Sequence, residues 1–353
     1  MNLCPNLKHN LSWKVSGLVD PCNHLTEFPQ FQTVEQLYQS KEYLQLVNDQ
    51  TNGLRPTACQ RCWDKESIGL TSKRESDIKL DRIYSKLDTN YLKIDAAIGD
   101  ICNAACRICD STSSTTWQQI DKKFFGIEIE KHRQSDLWQY VNNNLDKILQ
   151  LDFGGGEPWL NNVEDQIDVF EKLIESGRSK LIKLRYNTNG SMQPRTLLEK
   201  FQYFREVEIT LSLDDIGDRF EYNRYPLKWD KVLSTIQYLK QLADTYKNIN
   251  LTINYSVSIF TWFYIQEFKS WAINNELDYI NWNIVTTPWV YSIKSLPESI
   301  KNTIDPTHQF YDLIGKDPKN NWLNEFCKLT QLLDQQRGQD FNQTFPELAK
   351  HYH

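Results

Sequence analysis

Between about residue 90 and about residue 290 the chain alternates two kinds of hydrophobic pattern. Short apolar or alternating runs recur at Tyr91–Ile98, Leu149–Phe153, Leu181–Asn187, Val207–Asp214, Leu251–Ile259 and Tyr279–Val285, and these predict strands. Between them the apolar positions repeat with helical period, including Asn162–Ser176, Pro194–Phe204, Trp229–Thr245 and Phe263–Asn275. Six strands joined by helical crossovers predict an α/β protein with a parallel sheet, because a parallel neighbour needs a long return connection. Pattern alone leaves open whether that sheet is open or closed toward a barrel.

The flanks differ. Before residue 90 there is one helix-like stretch, Val34–Val47, among polar segments that carry Cys4, Cys22, Cys59 and Cys62. Cys59 and Cys62 are read as part of a polar loop, followed at once by Trp63. After residue 290 comes a largely helical tail in which Trp322, Phe326, Leu329 and Leu333 share one helical face, which is expected to pack on the α/β region. Three segments follow: 1–88, 89–292 and 293–353. Trp262-Phe-Tyr264 either walls a pocket or begins a helix in the core.

Composition narrows the classes. The 353 residues are 40% hydrophobic, enough for a substantial core, and the formal net charge of -6 with no long basic run argues against a broad nucleic-acid surface. No run of about twenty apolar residues is present, and Met1-Asn-Leu-Cys-Pro lacks a signal peptide's apolar core, so a cytoplasmic protein without a membrane span is expected. In reducing cytosol the eight cysteines read as metal ligands rather than a disulfide framework.

Their spacing then carries chemistry. Cys102-Asn-Ala-Ala-Cys106-Arg-Ile-Cys109 puts three thiols on one short loop, which suits an iron–sulfur cluster with one iron left open to a chelating small molecule. The same three could also be most of a zinc site completed from elsewhere. Downstream, Leu151-Asp-Phe-Gly-Gly-Gly-Glu-Pro158 is an apolar strand ending in three glycines and an acid. Glycines there let backbone approach a ligand, and the carboxylate can accept from an ammonium group. A plain strand-to-helix turn with Pro158 opening the helix would explain the proline but not the glycines.

Together these motifs resemble the radical S-adenosylmethionine (radical SAM) enzymes, over roughly residues 4 to 290. The resemblance implies a partial (β/α)6 TIM-like barrel with every motif at a strand's C-terminal end, a [4Fe-4S] cluster on Cys102, Cys106 and Cys109, and SAM chelated by the open iron. It also implies that Gly155, Gly156 and Glu157 hold the SAM amino group. Asn189 ends a Thr-Asn-Gly strand like the family's. Ser212 and Asp214 match a Ser-x-Asp strand end beside the SAM ribose and carboxylate, and Arg224 matches an arginine that meets the carboxylate. Ile108 stands where the family often has an aromatic residue against adenine. The activity implied is reductive cleavage of SAM to a 5′-deoxyadenosyl radical that takes a hydrogen atom from the substrate, with flavodoxin or ferredoxin as reductant.

Cys4, Cys22, Cys59 and Cys62 resemble an auxiliary-cluster module of the SPASM or Twitch type, placed ahead of the barrel, and imply a second [4Fe-4S] cluster. Structural zinc on four cysteines suits the same spacing. Cys22-Asn23 stands where the module often has Cys-Cys, and Leu7-Lys8 where it often has a tryptophan. Such modules accompany peptide and protein modification, so a peptidyl substrate is expected, with a small metabolite or sugar as the alternative. A non-catalytic protein with two zinc sites that binds a partner is the competing reading. Cys327 belongs to neither cysteine group; it is either a hydrogen-atom donor or a small buried hydrophobe.

Overall fold

The computed structural model describes residues 3–67, 69–129, 135–277 and 279–352. The expected α/β class is present, with eight strands among the described residues and mostly parallel pairing. The chain forms two compact units, the first made of Met1–Asp100, Ile129–Asn187 and Pro194–Glu208, the second of Ile101–Glu128, Thr188–Gln193 and Ile209–His353.

In the first unit, β1 (Asn10–Trp13), β2 (Val19–Asp20), β3 (Leu92–Ala97), β4 (Ile148–Gly154) and β5 (Lys183–Thr188) lie in the order β2-β1-β3-β4-β5. β3, β4 and β5 pair in parallel with Ile94, Leu151 and Leu184 in one row and Asp95, Asp152 and Arg185 in the next. One face is apolar and buried, with Phe153 and Tyr186 packed ring to ring and the Val163–Glu175 helix adding Phe170 against Phe153. The other face carries Lys93, Asp95, Gln150, Asp152, Lys183 and Arg185, and it is mostly buried too. These charges are paired: Lys93 with Asp77, Lys73 Nζ with Asp95 at 3.2 Å, Arg185 with Asp152 at 3.3 Å, and Lys183 with Glu206 and Glu208 at 2.8 Å.

Lys73 and Asp77 come from the Lys73–Tyr84 helix, which a reciprocal cap starts: Ser72 Oγ accepts from the Glu75 N–H and Glu75 Oε2 accepts from the Ser72 N–H, each at 3.1 Å.

β6 (Glu206–Ser212), whose residues from Ile209 on belong to the second unit, is followed in order by β7 (Ile249–Val257) and β8 (Ile280–Ile284) of that unit, with β7 and β8 parallel and Tyr255 opposite Trp282. The Trp229–Thr245 helix matches its predicted limits, and Phe263–Asn275 is a helix at Ile265–Asn274. Trp262 and Tyr264 are buried at the start of that helix, as the core reading of the triplet has it, while Phe263 between them is exposed. Phe260, Tyr291, Phe326, Phe341, Phe345 and Tyr352 form a continuous aromatic core.

Several expectations change. β1 and β2 add two strands on the N-terminal side of the six expected, with β1 parallel to β3. The Val34–Val47 helix is two helices, Val34–Gln39 and Lys41–Thr51, because Ser40 is extended and its Oγ caps the second at the Tyr43 N–H. The Pro194–Phe204 helix shrinks to Arg195–Leu198 and a 3-10 turn at Phe201–Tyr203. Pro158 does not open a helix; the turn runs on to Asn162, whose φ of 48° precedes Val163. Cys59 and Cys62 are helical rather than in a loop, closing a 3-10 turn and lying in Gln60–Ser67.

Candidate functional site

The Cys102–Cys109 loop lies five residues past β3, and the residues around it hold its backbone tightly. Ser114 Oγ caps the Thr115–Phe125 helix at the Trp117 N–H and donates to the Ala104 carbonyl at 2.6 Å. Thr116 Oγ1 donates to the Cys102 carbonyl at 2.7 Å, and Trp117 Nε1 to the Cys106 carbonyl at 2.8 Å. From the other side the Ala105 and Arg107 N–H groups donate to the Tyr225 and Asn223 carbonyls at 2.6 and 2.9 Å. Ala104 and Ala105, between Cys102 and Cys106, are buried. Three thiols are thus fixed on one rigid loop.

Cys106 is buried, while Cys102, Ile108 and Cys109 are half-buried. Burial pushes the Cys106 thiol up, against the pull of the Arg224 guanidinium, and pushes the Cys109 thiol up to about 12, aided by Cys106. A bound metal reverses this preference, because a coordinated thiol is deprotonated. The donor set fits a thiolate-ligated cluster with three protein ligands.

Motif residues from other elements reach this loop. Arg224 Nη2 pairs with Asp214 Oδ2 at 2.8 Å, both side chains being buried, and Arg224 Nη1 donates to Cys106 Sγ at 3.7 Å. Asp214 Oδ1 accepts from the Ser256 N–H at 3.0 Å, which fixes the carboxylate at the ends of β6 and β7. Asn189 Nδ2 donates to Asn103 Oδ1 at 2.9 Å, and Asn103 Nδ2 donates to Ser191 Oγ at 2.8 Å. Ser212 ends β6, half-buried. Cys327 is set apart from this group, its Sγ donating to the Tyr352 carbonyl at 3.7 Å.

Sequence reading missed the second ring of contacts. Arg107, inside the motif, pairs with Asp334, donates to Gln339 Oε1 at 3.1 Å, and lies 3.8 Å over the Tyr222 ring. Tyr222 Oη donates to the same Asp334 at 2.8 Å. A charged residue between two cysteines of a buried loop is the one signal that could have pointed to a distant partner.

In the first unit, Gly155 follows β4 with φ of 108°, and a Cβ there would stand 2.6 Å from the Gly99 carbonyl oxygen. Only glycine fits. The Gly156 N–H donates to that oxygen at 2.7 Å. Glu157 is wholly buried; its Oε1 accepts from the Trp159 N–H at 3.2 Å and its carbonyl from Asn161 Nδ2 at 2.7 Å.

The same unit brings Cys4, Cys22, Cys59 and Cys62 to the wall of one pocket with Asn6, His24, Gln50 and Arg74. Gln50 bridges two of them, accepting from the Cys4 N–H at 2.9 Å and donating to Cys59 Sγ at 3.2 Å. Asn6 Nδ2 donates to Cys22 Sγ at 3.8 Å. Burial pushes the Cys4 and Cys22 thiols up to about 12 and Cys59 up to about 11. Four thiols with amide donors aimed at two sulfurs fit a thiolate-ligated group. All eight cysteines are free thiols, and among the described residues no three His, Cys, Asp or Glu side chains already converge on a single ion position.

No protein-family model and no curated protein matches this chain. Solved structures do match. Native anSMEcpe with bound AdoMet is 17% identical, with the match covering 69% of this chain and 60% of that one at a TM-score of 0.41. Streptococcus suis SuiB bound to precursor peptide SuiA is 15% identical over 96% of this chain and 73% of that one, TM-score 0.39. TYW1 with a lysine-pyruvate adduct bound is 13% identical over 65% and 69%, TM-score 0.31. The match thus spans less than two thirds of the anSMEcpe chain. Identities and TM-scores this low leave the functional reading to the residues themselves.

Proposed function

We propose that this protein is a radical SAM enzyme, with a [4Fe-4S] cluster on Cys102, Cys106 and Cys109 and a peptide or protein as the molecule it modifies. One observation carries the reading: Arg224, matched to the family from a separate stretch of sequence, bonds both its matched partner Asp214 and the Cys106 sulfur. A helix-spaced coincidence of three cysteines would not bring that pair to the loop.

When bound, the cluster supplies the electron that cleaves the carbon–sulfur bond of SAM. The protein's own groups orient and neutralise. The Arg224 guanidinium, held by Asp214, is the cation for the SAM carboxylate. The resemblance to the family assigns Glu157, a buried carboxylate of the first unit, to the SAM ammonium group. Gly155 and Gly156 give the backbone approach beside that acid. Asn189, Ser212 and Ile108 are assigned to the nucleoside side of the cofactor. Cys4, Cys22, Cys59 and Cys62 of the N-terminal pocket would hold a second [4Fe-4S] cluster, which would supply a one-electron acceptor, and a flavodoxin or ferredoxin is the assigned reductant. The peptide assignment rests on the resemblance of that cysteine-rich segment to auxiliary modules of peptide-modifying enzymes.

Anaerobically prepared protein is expected to carry about eight irons with matching sulfide, and the Cys102/Cys106/Cys109→Ala variant about half. Reduced wild type should release 5′-deoxyadenosine from SAM, and the triple variant should not. Stoichiometric zinc without sulfide overturns the reading.

A further inference from the structure

Arg337 is the last residue of the Trp322–Arg337 helix and is only 8% exposed. Its Nε, Nη1 and Nη2 are all buried, and none has a hydrogen-bond partner among the described residues. The guanidinium carbon lies 4.7 Å from the Trp117 ring centroid and 5.1 Å from that of Tyr225. Both residues grip the cysteine loop, Trp117 through the Cys106 carbonyl and Tyr225 through the Ala105 N–H. Leu333, one turn earlier, packs with Ala105 and Trp117, and Leu329 and Cys109 lie against that cluster.

Rings against a guanidinium satisfy its faces, not its N–H edges, and a buried cation without a counter-charge is strongly disfavoured. The other two cations at the loop are already matched, Arg107 by Asp334 and Arg224 by Asp214. Arg337 is therefore the surplus positive charge against the two rings that grip the cysteine loop. An anion belongs there, and a thiolate-ligated cluster is one, becoming more negative on reduction.

We propose that Arg337 is the counter-charge of the cluster on Cys102, Cys106 and Cys109 and raises its reduction potential, acting as a positioning and tuning residue contributed by the C-terminal helix. This rests on the cluster reading above. A positive charge held by two rings next to the loop stabilises the reduced state more than the oxidised one.

The test is a redox titration followed by electron paramagnetic resonance on anaerobic full-length protein without SAM. The relevant signal is the one absent from the Cys102/Cys106/Cys109→Ala variant. Arg337→Gln, at matched iron content, should make reduction about tenfold less favourable, a midpoint about 59 mV lower for one electron. Arg337→Lys keeps the charge and should hold the midpoint near wild type. If the Gln variant does not fold, Arg337→Met fills the slot between the rings without charge and should show the same fall. An unchanged midpoint in a folded, iron-replete Gln or Met variant overturns the proposal, as does a Lys variant as low as the neutral ones. Weakened SAM binding with an unchanged midpoint also overturns it, assigning Arg337 to a bound carboxylate instead. Wild-type protein without iron and sulfide would sink the cluster reading itself, an outcome separate from all of these.

Discussion

His9 is a single side chain whose charge is set by its surroundings. Its ring stacks on Tyr91 at 4.1 Å, and Nδ1 lies 3.0 Å from the Tyr91 carbonyl oxygen. Burial holds its pKa below the ordinary 6.5, outweighing the opposing carbonyl contact. For a base with a depressed folded pKa, the unfolded chain takes up its proton first as pH falls. The stability from a neutral His9 is therefore complete above about pH 6.5 and is lost as pH drops toward the folded value. Denaturant titrations at about pH 7.5 and pH 5 should show a loss of stability that is smaller in His9→Gln than in wild type. Equal losses in the two proteins would show that His9 does not titrate in the fold.

At the scale of elements, the charged face of β3, β4 and β5 is the unusual part. Lys93 pairs with Asp77 in a position where neither side chain meets solvent, and Asn6 Nδ2 donates to the same carboxylate at 2.5 Å. Burial alone would raise the Asp77 pKa, but the Lys73 and Lys93 charges hold it below the usual carboxylate range. Lys93→Met should cost about 3 kcal/mol by removing the direct cation partner of a buried carboxylate, and adding Asp77→Leu should recover most of that. Urea denaturation of the two variants checks it; a double variant no more stable than the single one would contradict the pairing. The strands themselves were legible, since Leu92-Lys-Ile-Asp-Ala-Ala alternates with period two. Alternation of that kind ordinarily places Lys93 and Asp95 in water. Their burial depends on Asn6, 87 residues before Lys93, and on Lys73 and Asp77 of the helix before β3, none of which the local strand pattern encodes. β1 escaped notice for a related reason: Asn10-Leu-Ser-Trp is four residues long, and its strand state comes from pairing with β3.

At the scale of the whole molecule, the two cysteine groups are assigned different work. Cys59→Ala with Cys62→Ala should remove about half of the iron while leaving uncoupled SAM cleavage under strong chemical reduction, with turnover of a peptide substrate falling much further. Circular dichroism must first show the variant folded, because losing a metal group costs folding energy. A folded variant with no SAM cleavage would contradict the division. The cysteine loop and the Gly155–Glu157 turn were legible because each is one contiguous motif whose spacing is its chemistry. Asp334 and Arg337 were not, because their meaning comes from contact with a loop 227 residues earlier, as the Arg107–Asp334 pair shows. That separation sets an order of manufacture. The Cys102–Cys109 loop leaves the ribosome well before the Trp322–Arg337 helix, so the packing of Leu333 on Ala105 and Trp117, and the arrival of Arg337 beside that ring, come late in synthesis.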